Sequence, residues 1–96
     1  MNIRDLLKAK REAILAVAAK HGARNVRIFG SVARGEADEQ SDIDFLVDVG
    51  PLHSPFFPGG LAIDLEELLG REVDIVVEGG ESPYLRARIH AEAIPV

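Results

Sequence analysis

The chain has 96 residues, 47% of them apolar and 28% charged, with a formal net charge of −5. That length suits one compact domain with a modest core, and the apolar share is too high for a disordered tail. Without cysteine there is no disulfide framework or thiolate zinc site, the acidic balance argues against direct nucleic-acid binding, and apolar runs of about five residues fall far short of the ~20 that cross a bilayer.

The first segment, Ile3 to about His21, carries Ile3, Leu6, Leu7, Ile14, Val17 and Ala18 at mostly helical spacing, interrupted at Lys10 and Arg11. Gly22 is a natural helix stop. Asn25 to Phe29 alternates and holds two β-branched residues, so it reads as a short strand. Gly30-Ser31 follows at once, and Val32-Ala33-Arg34 has room for one helical turn. Glu36 to Ser41 is a polar, acidic loop. Asp42 to Val49 reads as the second strand, with Ile43, Phe45, Val47 and Val49 on one face and Asp42, Asp44, Leu46 and Asp48 on the other.

Gly50 to Gly60 holds three prolines and three glycines and reads as a loop. Leu61 to Leu69 is a helix with Leu61, Leu65, Leu68 and Leu69 on one side, closed by Gly70. Val73 to Val77 is a third strand, apolar apart from Asp74, and expected to be buried on both faces. A last helix spans Tyr84 to Ala93, with Ser82 as its cap and Pro83 in its first position. Strands alternating with helices predict an α/β (α+β) layer fold: a small mixed three-stranded sheet flanked by helices.

Three aspartates on strands stand out. Asp42 and Asp44 are two apart on one strand, so both point to the same face with Cα atoms ~6.5–7 Å apart. That separation suits two carboxylates gripping metal ions that sit ~3.5–4 Å from each other. Asp74 lies in an apolar strand, where an unpaired carboxylate is costly to bury. The simplest resolution places it beside Asp42 and Asp44 as a third ligand. The alternatives are a structural ion pair with Arg71 or Arg27, or exposure at a sheet end. Gly30-Ser31 sits where a strand gives way to a helical turn, a junction that presents backbone N–H groups to an anion. Anion cradle, ten residues, acid pair and a third acid thirty residues after Asp44 are the parts that a metal-bound triphosphate requires.

Phe29-Gly30-Ser31-Val32-Ala33-Arg34-Gly35-Glu36 followed by Ser41-Asp42-Ile43-Asp44-Phe45-Leu46-Val47 resembles the signature of the minimal nucleotidyltransferases, Gly-Ser, ten residues, Asp-x-Asp, in the DNA polymerase β-like superfamily. The resemblance runs from the first helix to the last and implies that residues 1–96 form a single minimal nucleotidyltransferase domain. It also implies roles. Gly30 and Ser31 would bind the nucleotide's phosphates. Asp42, Asp44 and Asp74 would be catalytic and would ligate two Mg²⁺ ions, with ATP as substrate. Ser82 to Ile89 is similar to family members that act as antitoxins by transferring AMP to a tyrosine of a helical HEPN-type RNase toxin. The implied partner is therefore such a toxin, in a hetero-oligomer. Transfer to a small molecule of the aminoglycoside type and neutralisation by contact without catalysis are the competing functions.

The remaining candidates are weaker. Phe56 and Phe57 cannot both face inward from an extended loop, so at least one is a candidate for a partner contact or for a lid over the nucleotide. Arg34 is expected to pair with Glu36 or Asp38, whereas Asp48 and Glu78 are expected to face solvent. His21, His53 and His90 show no metal-site spacing and read as surface residues. The N-terminus lacks the basic patch and apolar stretch of a secretory signal, so a soluble cytoplasmic protein is expected, with no membrane partner.

Overall fold

The computed structural model describes residues 2–96. The single predicted N-terminal helix is two, α1 (Ile3–Ala9) and α2 (Arg11–Lys20). They divide at Lys10, whose φ of −100° and ψ of 8° leave the helical region. The break falls where the apolar spacing lapses, and it lets Ile3 and Leu7 of α1 and Ile14 and Ala18 of α2 all reach the core. Asn2 caps α1, its side-chain oxygen accepting from the Asp5 N–H at 2.8 Å.

β1 (Ala23–Phe29) runs antiparallel to β2 (Ile43–Val49), and β2 runs parallel to β3 (Val73–Val77). A two-residue β4 (Ile94–Pro95) pairs with the free side of β1, giving the order β3-β2-β1-β4. The mixed α/β layer fold is therefore as expected, with one strand more than the sequence predicts. Two residues carry no periodicity, so β4 leaves no pattern to read. β3 is not buried on both faces as expected. It is an edge strand, half-buried apart from an exposed Asp74.

One face of the sheet carries Val26, Ile28, Ile43, Phe45 and Val47 into a core shared with α1, α2 and α4 (Gly59–Leu69). Leu46 is fully buried but lies outside that cluster. Strand alternation turns it to the opposite face, where α5 (Pro83–Glu92) buries Ile89 and packs on β1 and α3 (Gly30–Arg34). Ser82 caps α5 as predicted, accepting from the Tyr84 N–H, with Pro83 in the first turn. Among the described residues no helix is long and apolar enough to cross a membrane.

His21 corrects its reading as a surface residue, because it is buried and holds the Pro-rich loop to α4. Its ring shares hydrogen bonds with Ser54 Oγ at 2.7 Å through Nδ1 and with Asp64 Oδ2 at 2.6 Å through Nε2. Its carbonyl accepts from the Ser54 N–H at 3.1 Å. Gly22 beside it has φ of +85°, and a Cβ there would strike the backbone of Leu52 and His53.

The hydrogen bond from His21 holds the Asp64 carboxyl below the usual carboxylate range. Asp64 therefore contributes stability that is fully present above its unfolded pKa of ~3.9 and is lost as pH falls through its lower folded value. Thermal melts between pH 2 and 6 are expected to show this loss in the parent chain and a shallower acid decline in Asp64→Asn.

Candidate active site

β1 ends at Phe29 and the chain turns directly into α3, a helix of five residues. The corner residue, Gly30, has φ of +74°, and a Cβ on it would run into the Asp44 carboxylate. Only glycine lets the backbone lie this close to that acid. Phe29 is the register partner of Asp44 on β2, and Asp44 is in turn the partner of Asp74 on β3. Across three strands the order at this end of the sheet is thus the Gly30 corner, Asp44, Asp74. Asp42 sits one residue ahead of β2, exposed, and two residues from Asp44.

Electrostatics report the same proximity. The Asp44 carboxyl is pushed up to about 6, first by burial, then by the negative charges of Asp74 and Asp42. Arg34 opposes the shift and Glu92 adds to it. The structure thus sets Asp44 against the Gly30 corner and in register with Asp74, with Asp42 two residues ahead of it at the same end of the sheet, but the three carboxylates do not all come within 4.8 Å of one another. The ion pairs considered for Asp74 are not made. Arg71 donates instead to the carbonyls of Asp38 and Ser41 at 2.7 and 2.8 Å, pinning the loop that leads into β2. Arg27 binds Asp48 at 2.7 Å and Glu78 at 3.3 Å. Asp74 keeps its hydration by standing exposed on the edge strand. Asp48 and Glu78, expected to face solvent, are half-buried partners of Arg27.

One residue of this corner left no sequence signal. Glu92, in the last turn of α5, accepts from the Gly30 N–H at 3.2 Å and from Arg34 Nη1 at 3.0 Å. Arg88, one turn earlier, reaches the same carboxylate at 3.3 Å. Glu92 is 62 residues from Gly30, and no motif joins them. Arg34 also pairs with Glu36 at 2.9 Å, one of its two expected partners. Ser31 is half-buried in the second position of α3, its carbonyl accepting from the Glu36 N–H at 2.9 Å.

The two phenylalanines of the loop separate. Phe56 is 92% exposed, whereas Phe57 is half-buried against the core, its ring 5.5 Å from that of His53. Phe56 is therefore the one of the pair free to meet another molecule, and Phe57 serves the fold.

Comparison with known proteins sets the chain in a wider group. The pattern of the nucleotidyltransferase domain family matches residues 10–96. A protein of Methanocaldococcus jannaschii named "Putative protein adenylyltransferase MJ0435" is 43% identical over 96 residues, covering 100% of this chain and 99% of its own. A solved structure described as "Structure of putative minimal nucleotidyltransferase" superposes with a TM-score of 0.85 at 49% identity, over 100% of this chain and 97% of the other. A chain from "Crystal structure of the toxin-antitoxin with AMP-PNP" shares the fold, with a TM-score of 0.67 at 23% identity over 99% of this chain and 72% of its own.

Folding crowds the Asp44 charge, and its folded pKa lies above the unfolded one, so stability falls as pH rises between about 4 and 6. Asp44→Asn is expected to raise the unfolding free energy near neutral pH by about 1 kcal/mol, after discounting the shift for solvent screening. Urea titrations across that pH range check both the gain and the flattened profile.

Proposed function

Because the chain belongs to the nucleotidyltransferase domain family, we propose that it transfers AMP from ATP to a hydroxyl group of a partner protein, a tyrosine of a HEPN-type RNase toxin that it thereby silences. The observation that carries this reading is the contact of the Gly30 corner with Asp44, itself in register with Asp74. An anion-binding turn with a positive-φ glycine and a set of carboxylates share one end of one sheet. The protein acceptor and the adenylyl group rest on the name of the Methanocaldococcus jannaschii relative, which matches the whole chain, and ATP is the donor this proposal adds. The toxin partner is in keeping with the fold neighbour from a toxin–antitoxin structure.

The donor set fits a hard divalent cation. Asp42, Asp44 and Asp74 offer carboxylate oxygens alone, the crowding that lifts Asp44 to about 6 is what a cation would relieve, and oxygen ligands suit Mg²⁺. Two Mg²⁺ ions held there would neutralise charge on the attacking and leaving oxygens.

The chain's own residues supply position. The Gly30 N–H and the Ser31 hydroxyl would receive the β- and γ-phosphates, with the Arg34 guanidinium beside them. Glu92 holds two of those donors in this conformation, so the phosphates take the place of its carboxylate. With the triphosphate fixed, the acceptor oxygen attacks the α-phosphorus, the bond to the bridging oxygen breaks and pyrophosphate leaves. Asp74, exposed at the edge, orients the acceptor hydroxyl and receives its proton. Holding the two reactants in line supplies much of the acceleration, which suits so small a scaffold.

Asp44→Ala is expected to lower transfer of labelled AMP from ATP to the toxin by about 10²-fold or more, and to abolish toxin neutralisation in cells. Full neutralisation by this variant would mean that contact alone silences the toxin. Phe56→Ser is expected to weaken the complex with the toxin several-fold in a binding titration while leaving the melting temperature unchanged, because the ring is 92% exposed. An unchanged affinity would remove Phe56 from the interface.

A further inference from the structure

A second group of potential ligands lies at the other end of β3. Glu78 follows the strand directly, Glu81 sits in the turn before α5, and His90 lies in the third turn of that helix. Asp74 and Glu78 are four residues apart on an extended segment, so the two ends are ~13 Å apart. Among the described residues, this is where three potential metal-ligating atoms all come within 4.8 Å of one another. His90 Nε2 is 3.0 Å from Glu78 Oε1 and 3.5 Å from Glu81 Oε1.

The outer oxygen of each acid is already committed. Arg27 Nη1 donates to Glu78 Oε2 at 3.3 Å, and the Gly79 N–H donates to Glu81 Oε2 at 2.9 Å. Both remaining oxygens therefore face the His90 ring. Glu81 is the telling member. Its side chain is 1% exposed, and its Oε1 is buried without a hydrogen-bond partner. Arg86 Nε lies 3.3 Å from that oxygen but outside hydrogen-bonding geometry. A desolvated carboxylate oxygen is costly to leave unsatisfied, and this one is aimed at an imidazole nitrogen and a second carboxylate.

We propose that Glu78, Glu81 and His90 form a binding site for a divalent transition-metal ion of the zinc class, separate from the three aspartates. One imidazole nitrogen with two carboxylate oxygens is a donor set for Zn²⁺, Co²⁺, Ni²⁺ or Mn²⁺, whereas Mg²⁺ favours an all-oxygen shell. Arg27 and the Gly79 N–H act as the outer partners that orient such ligands. A bound ion would tie the turn after β3 to the third turn of α5, the helix whose Glu92 sits on Gly30.

The test uses the full chain, untagged, with Asp42, Asp44 and Asp74 all changed to Asn to silence the aspartates. Co²⁺ alone is titrated in and its visible absorption followed, then Zn²⁺ and Mg²⁺ are added as competitors. One equivalent of Co²⁺ is expected to saturate the site, to be displaced by Zn²⁺ and to resist a large excess of Mg²⁺. His90→Ala and Glu81→Gln are each expected to weaken binding about 10–100-fold. Circular dichroism establishes that each variant is folded. If His90→Ala unfolds, Glu81→Gln, which keeps the side-chain shape, decides by the same criterion. Absence of saturable binding below about 1 mM, or affinity unchanged in a folded variant, overturns the site and leaves His90 as the cation of an ordinary ion pair.

Discussion

The parallel register of β2 and β3 is the constraint on which the site depends. It sets Asp44 beside Asp74, and the antiparallel register of β1 sets Phe29, and so the Gly30 corner, on the other flank of Asp44. Like charges on adjacent strands repel, and the Asp44 carboxyl is raised first by its burial and then by that repulsion. A sheet chosen for stability alone would place an apolar residue at this position. Instead the hydrophobic contacts behind it, Ile43, Phe45 and Val47 against α2 and α4, hold β2 fixed while its outward face carries the acids.

Side-chain clamps hold the connections around that strand. Arg71 fastens the loop before β2 through two carbonyls, Arg27 joins Asp48 to Glu78 across the sheet, and His21 binds the Pro-rich loop to α4. Each is an ionic or hydrogen-bonded link between segments distant in sequence. Together they give a small core precise strand ends without the extra layers that larger proteins use.

What the sequence revealed follows from the range of each interaction. The spacing of Asp42 and Asp44 is local, and strand alternation carries it straight into the structure. The Gly30 turn was legible because glycine before a helical turn is a local signal too. Asp74 could be placed because a lone acid in an apolar strand has few physical resolutions, although the strand proved to be an exposed edge rather than a buried one. Glu92, His21 and the Glu78–Glu81–His90 group were invisible for the opposite reason. Their partners lie in other elements, and no periodicity links a helix end to a turn 62 residues earlier. Phe56 and Phe57 are neighbours in sequence, yet only the path of the loop separates an exposed ring from a packed one.

The position of Asp74 has a consequence beyond chemistry. β3 pairs on one side only, so Val73, Ile75, Val76 and Val77 present an open ladder of backbone groups and β-branched side chains. Such a margin invites a strand from a neighbouring molecule and, in time, self-association. A negative charge in the middle of that run opposes such stacking, since another copy would bring its own Asp74 close to the first. The same carboxylate therefore opposes pairing of this edge with a second copy, and its removal would leave the margin open to self-association.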